Sequence, residues 1–298
     1  NDDGTLNMLD LKSVDDKKAA QYVMKPNDIV FARTGNSTGR NYFYDGSDGT
    51  FVYAGFLIKF SIDPSKVNPK YIKYYCLSNE YKNWVRGHST GSTRGNINAQ
   101  TYANMEITLP PRAQQDKLVS ILENLDLKRK NNAEINRNLS EQLKVIFSKM
   151  FPTIADNGSN TLEEIISFSN GKKRPDTEGK VPVYGGNGIL SYTDKSNAEN
   201  CVIIGRVGAY CGSLYLSIEP CWISDNAIKA EAKNSKSQMF IYYLLQELAL
   251  SNRHIGTSQP LLTQGILNAI PFTCPSEEGI ISFCKKADDI QKLIDMNT

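Results

Sequence analysis

The chain has 298 residues, enough for two domains that each bury a core. Its 34 Lys and Arg nearly balance 32 Asp and Glu, which excludes a uniformly basic coat for nucleic acid, so any DNA binding has to come from local patches. No apolar run reaches the roughly 18 residues that cross a bilayer, nothing reads as an export signal, and six cysteines without CxxC spacing read as reduced, buried thiols of a cytoplasmic protein rather than a metal site.

Residues 1–24 are polar, and the lead-in to the first buried strand is shorter than its counterpart in the second half, so the first globule reads as shortened at its N-terminus. Lys25-Pro26-Asn27-Asp28 is a turn that feeds a strand ending at Arg33. The loop that follows carries Ser37 and Thr38 between Arg33 and Arg40. Residues 42–44 and 51–60 read as strands around a Gly/Asp turn, and residues 69–84 as one helix with Ile72, Tyr75, Cys76 and Leu77 inward. Residues 86–98 form a second polar, Gly-rich loop with Arg86, His88, Ser92, Thr93 and Arg94.

Pro110 and Pro111 close the first globule, and no Gly or Pro occurs from Arg112 to Met150. Leu118, Leu125, Asn132, Leu139 and Ile146 recur every seven residues, and Ile121, Leu122, Ile135, Leu143 and Met150 widen the stripe. The pattern predicts one long amphipathic helix with a coiled-coil seam, roughly 55–60 Å long. Asn132 in mid-seam would fix register.

The second globule opens at Thr161 and soon reaches a basic turn, Lys172-Lys173-Arg174. Residues 181–189 are a strand entering a Gly-rich bend, with Tyr184 and Asn187 on it, and residues 202–216 alternate β-branched residues with Gly around Arg206 and Tyr210. An amphipathic helix over 238–250 matches that of 69–84, and the polar loop returns with His254, Thr257, Ser258 and Gln259. Ser276 caps a closing helix that runs to about Met296, half the length of the first. Gln100 and Gln264, Asn104 and Asn268, and Pro111 and Pro275 keep a common offset, so the chain reads as a tandem repeat: globule, long helix, globule, shorter helix.

Catalytic chemistry is hard to find in these letters. No GxSxG elbow, phosphate loop or dinucleotide fingerprint occurs. Asp176-Thr177-Glu178-Gly179-Lys180 has the letters of a metal-dependent nuclease, but one residue separates carboxylates that should come from separate strands, so it reads as a charged surface turn. What recurs in both halves is a set of loops rich in Arg, Lys, Ser, Thr, Asn, Gln and Tyr. Arg reads guanine edges, Asn and Gln read adenine, and hydroxyls and Lys hold phosphates. Two such readers beside a long helix suit a bipartite DNA site. Arg33 and Arg206 hold matched places, since residues 29–35 parallel 202–208, and could equally tie strand ends.

Several segments together resemble the DNA specificity subunit of type I restriction-modification systems: Asp28-Ile-Val-Phe-Ala-Arg-Thr-Gly35, Leu109-Pro-Pro-Arg-Ala-Gln-Gln-Asp116, Pro182-Val-Tyr-Gly-Gly-Asn-Gly188, Ile204-Gly-Arg-Val-Gly-Ala-Tyr-Cys-Gly212 and Gly256-Thr-Ser-Gln-Pro260. The resemblance implies an α+β chain of two similar β-rich target recognition domains, separated by long conserved-region helices that form an antiparallel coiled coil. The expected bounds are 1–109 and 153–274 for the recognition domains, and 110–152 and 275–298 for the helices. Each domain would read one half of a split double-stranded DNA sequence. The helix would set the gap and dock DNA methyltransferase subunits through Leu118, Leu125, Asn132, Ile135, Leu139 and Ile146. A restriction subunit would join, with catalysis, S-adenosylmethionine, ATP and Mg2+ all on the partners. Residues alone leave two rivals, a two-domain β-rich enzyme such as a nuclease and a repeat-built carbohydrate- or protein-binding module.

Overall fold

The computed structural model describes residues 4–6, 11–88, 95–155, 158–234, 237–256 and 259–298. The chain divides into two compact units, Asn1–Lys130 and Asn131–Thr298.

The first unit is built on an antiparallel sheet in the order β2-β1-β3, with β1 Asp28–Ala32, β2 Asn41–Tyr44 and β3 Leu57–Ser61. The central strand is apolar on both faces because both are covered. Ile29 and Phe31 pack with Tyr81 and Tyr102, while Val30 packs with Met24, Tyr42 and Tyr44. Residues 51–60 are not a continuous strand: only Leu57 onward joins the sheet, and Val52 makes an isolated bridge to Val23.

The single helix expected over 69–84 is two helices, α1 Pro69–Tyr75 and α2 Asn79–His88. The Ser78 hydroxyl accepts from Tyr81 N (3.2 Å) and restarts the helix, which aims the Tyr81 hydroxyl at Gly39 O (2.6 Å). Arg86 and His88, expected on a loop, therefore sit in the last turn of α2, where His88 stacks on Trp84 at 4.3 Å. A short helix, α3 Ala99–Ala103, precedes the proline pair.

The long helix, α4 Arg112–Met150, has the predicted extent of 39 residues. Its first turns are tied to α1: Gln115 Oε1 accepts from Asn68 N (2.9 Å) and Asp126 accepts from the Tyr74 hydroxyl (2.9 Å).

In the second unit β5 Ile166–Asn170, β8 Cys201–Gly205, β9 Leu214–Ser217 and β11 Ala227–Ala232 form an antiparallel sheet in the order β5-β11-β8-β9. A smaller sheet orders β10 Trp222–Ile223, β6 Val181–Gly185 and β7 Gly188–Thr193 as β10-β6-β7. Helix α5 Gln238–Glu247 covers the larger sheet, and the end of α4 packs with α5 and with α7 Glu277–Asn297 to close the core. Phe147, Phe151, Phe240, Tyr243 and Phe283 form its aromatic centre, with Phe147 and Phe283 at 5.1 Å.

Helix α7 runs antiparallel to α4, since Asn132 Nδ2 donates to Asn297 O (2.8 Å) at one end while Phe147 meets Phe283 at the other. The expected seam is shifted. Leu143 and Phe147 are fully buried, whereas Leu139 and Ile146 are half-buried, because the aromatic cluster sits one step round the helix. Leu118, Leu125 and Ile135 are exposed. The thiols were expected to be buried; five are, and Cys274 is exposed.

Candidate nucleic-acid interface

In each unit one end of the main sheet carries the polar turns. The first unit's turn starts where β1 ends. Gly39 N donates to Ala32 O (2.9 Å), Thr38 N to Gly35 O (3.1 Å), Arg40 N to Ser37 O (2.9 Å) and Ala32 N to Arg40 O (2.8 Å). A distant segment clamps it: Gly35 N donates to Gly95 O (3.0 Å) and Ile97 N to Arg33 O (2.9 Å).

The second unit repeats these bonds one for one. Gly212 N donates to Gly205 O (2.8 Å), Cys211 N to Gly208 O (3.0 Å), Ser213 N to Tyr210 O (3.1 Å) and Gly205 N to Ser213 O (2.9 Å). The clamp returns as Gly208 N to Pro260 O (3.0 Å) and Leu262 N to Arg206 O (2.9 Å). Gly39 and Gly212 both hold positive φ, 87° and 85°, a backbone that a Cβ disfavours. Arg33 thus corresponds to Arg206, Ser37 to Tyr210 and Thr38 to Cys211.

The same bonds revise the repeat register. Asn98 caps α3 by accepting from Thr101 N, and Thr263 caps α6 (Gln264–Asn268) by accepting from Ile266 N. Asn98 therefore matches Thr263 and Gln100 matches Gly265, one residue away from the pairing of Gln100 with Gln264. Two different residues fill one cap because either side-chain oxygen satisfies the N–H.

In the second unit three further segments meet this sheet end. The Gly186-Asn187 turn of the β6–β7 hairpin is pinned by the Ser213 hydroxyl donating to Gly186 O (2.5 Å). The Ser224–Ala227 turn, closed by Ala227 N to Ser224 O (3.0 Å), receives Arg206 N at Asn226 O (3.0 Å). Lys172 N donates to Ile223 O (2.9 Å), which seats the basic turn beside β10. Close packing here demands glycine at 205, where a Cβ would lie 2.1 Å from Tyr210 O.

Lys172, Lys173, Arg174, Asn187, Tyr210 and Gln259 are exposed around this end, and Tyr184 is half-buried against Tyr215. Burial raises the Tyr184 phenol above its ordinary value. Arg206 is half-buried with Nε enclosed and lacking a partner among the described residues.

In the first unit Arg33, Arg40 and Arg86 are exposed and Ser37 is half-buried. The Thr38 hydroxyl reaches Gly35 O (2.8 Å) and Gly95 O (3.0 Å), so it fastens the loop clamp rather than facing outward. Ser92, Thr93, Arg94, Thr257 and Ser258 lie outside the described residues.

Two turns escape a reading from letters, Ala54–Leu57 and Ser224–Ala227. They place Phe56 and Asn226 at the same sheet ends, and only strand register reveals it. Asp176 and Glu178 are exposed on a surface turn, and among the described residues no three His, Cys, Asp or Glu side chains group as a metal site. No described helix is long and apolar enough to cross a membrane.

Residues 6–143 and 156–294 each match the family model described as type I restriction modification DNA specificity domain. A curated relative, the type I restriction enzyme HindI specificity subunit of Haemophilus influenzae (strain ATCC 51907 / DSM 11121 / KW20 / Rd), is 22% identical over 134 residues, which cover 44% of this chain and 29% of that relative. The match thus spans less than a third of that relative's length. Among solved structures, the S subunit of a type I restriction-modification system from M. genitalium aligns with a TM-score of 0.52 at 20% identity, over 91% of this chain and 78% of that chain. That likeness is one of fold. With both halves matched, and with the same clamped turn built twice at the sheet ends, the chain belongs to the type I restriction-modification DNA specificity family and carries its domain in two copies.

Proposed function

We propose that this chain is the non-catalytic DNA-reading subunit of a cytoplasmic type I restriction-modification complex. Each unit reads one half of a bipartite double-stranded site with its sheet-end turns, and α4 sets the gap between the halves. DNA methyltransferase subunits dock on the helices, and a restriction subunit joins them. S-adenosylmethionine, ATP and Mg2+ belong to those partners.

The observation that carries this reading is the repeated turn with its distant clamp, ringed in the second unit by Lys172, Lys173, Arg174, Asn187 and Tyr210. These side chains supply the phosphate-holding and base-reading chemistries together. The docking part is supported by α4, where Leu118, Ile121 and Leu125 lie on one face and stay 46%, 49% and 53% exposed. An apolar stripe of this kind marks an interaction surface.

The test is DNA affinity against salt for the chain reconstituted with its methyltransferase partner, on a site selected from random duplexes. Lys173→Ala is expected to weaken binding on every sequence and to reduce the log–log salt slope by about 1. Unchanged affinity and slope would take the basic turn out of the interface. Failure of the unmutated complex to select any split sequence would end the reading itself.

A further inference from the structure

The strand pairings give the two units one equivalent position. In the first unit Ala32 pairs with Leu57, so one step beyond the sheet Arg33 stands opposite Phe56. In the second unit Gly205 pairs with Ala227, and one step beyond it Arg206 donates its N–H to Asn226 O at 3.0 Å. Each partner sits on a tight turn closed by the same bond, Leu57 N to Ala54 O (2.9 Å) and Ala227 N to Ser224 O (3.0 Å). Phe56 and Asn226 therefore occupy one equivalent place, next to equivalent arginines.

Phe56 is 66% exposed, more than any other aromatic side chain among the described residues. The turn that carries it projects into solvent, since a Cβ at the preceding Gly55 would meet nothing within 4 Å. The sheet has an apolar core within reach, where Phe31 and Phe43 are buried, yet this ring is held out of it beside the exposed Arg33. A ring displayed among cationic and polar side chains suits the DNA major groove, where the thymine C5 methyl is the one apolar feature of a base edge and Phe is among its natural contacts. At the equivalent place Asn226 offers an amide, the group that pairs with the adenine edge.

We propose that Phe56 and Asn226 are the corresponding base-reading residues of the two units, and that Phe56 contacts the C5 methyl of a thymine in the first half-site. This rests on the reading of the sheet ends as the DNA-facing surface. One scaffold position thus carries apolar readout in one unit and polar readout in the other, which makes the two half-sites unlike.

The test uses the complex with its methyltransferase partner, and its split site is first selected from random duplexes. Each thymine of the first half-site is then replaced by deoxyuridine, which removes only the methyl group. One such replacement is expected to weaken binding of the unmutated complex about fivefold. Phe56→Ala should lose about the same factor on the thymine site, show no further loss on the deoxyuridine site, and leave the second half-site unchanged. Asn226→Ala should relax one position of the second half-site alone. An unaltered unfolding midpoint for Phe56→Ala keeps the loss from being one of folding.

The inference is overturned if Phe56→Ala selects the same sequence with affinity within twofold, if the deoxyuridine penalty is equal in both proteins, or if the first half-site holds no thymine. If the unmutated complex selects no split site, the DNA-reading assignment falls and this inference with it.

Discussion

Asp28 is buried where β1 begins, and its carboxylate receives the Ser61 hydroxyl (2.5 Å), the Lys25 N–H (2.9 Å) and the Lys59 ammonium (3.0 Å). Burial pushes its pKa up, but the Ser61, Lys25 and Lys59 donors outweigh burial and hold the carboxyl below its ordinary value. A carboxyl depressed on folding stabilises the fold above its unfolded pKa of about 3.9, and that contribution is lost as pH falls through the folded value. Asp28→Asn is expected to cost the first unit about 2–3 kcal/mol at neutral pH. It should also remove the part of acid destabilisation that sets in below about pH 4. Urea unfolding followed by Trp84 fluorescence, with Trp222→Phe silencing the other tryptophan, measures both effects. Equal midpoints with and without the carboxylate at pH 7 would refute this role. Other residues at this scale were misread from letters. Arg86 looked like a loop residue because Gly87 follows it, yet Ser78 restarts a helix that carries it. Phe56 fell inside the strand read over 51–60, and only the pairing of Ala32 with Leu57 shows it one step past the sheet.

The long helix was legible because nothing between Arg112 and Met150 breaks it and an apolar stripe runs its length. The burial along it was less so, since the heptad letters do not say where α7 and the aromatic cluster lie. Tyr74 holds Asp126 and Asn297 holds Asn132, so residues 127–131 are the stretch of α4 between its two sets of ties. Four residues inserted after Lys128 add about 6 Å of helix. That equals nearly two base pairs at about 3.4 Å each. The unread spacer is expected to lengthen by one or two base pairs with both half-sites intact, read out by methylome sequencing of cells carrying the insertion. An unchanged spacing with modification preserved would show that α4 is not the ruler.

At the scale of the whole molecule, the sheet-bearing part of the second unit is entered and left on neighbouring strands. The segment β4 (Asn160–Thr161) pairs with β12 (Pro271–Phe272), Thr161 opposite Pro271, so a graft of residues 161–273 enters and leaves at one place. Replacing that segment with the equivalent domain of a relative is expected to change the second half-site alone, as selection from random duplexes would reveal. A graft that altered both halves would mean that the two units read as one. The amino-acid sequence by itself determined the tandem repeat, the long helix and the apolar central strands, because each is written in local periodicity and in the placement of Gly and Pro. The letters already match Arg33 with Arg206, but only the tertiary structure decided the counterparts at the helix caps and the facing turns. Asn98 answers to Thr263, and Phe56 to Asn226. The reason is physical: the turns are shaped by backbone hydrogen bonds between segments far apart in the chain, such as Gly35 to Gly95 and Gly208 to Pro260, and the partner of such a bond cannot be read from side-chain letters.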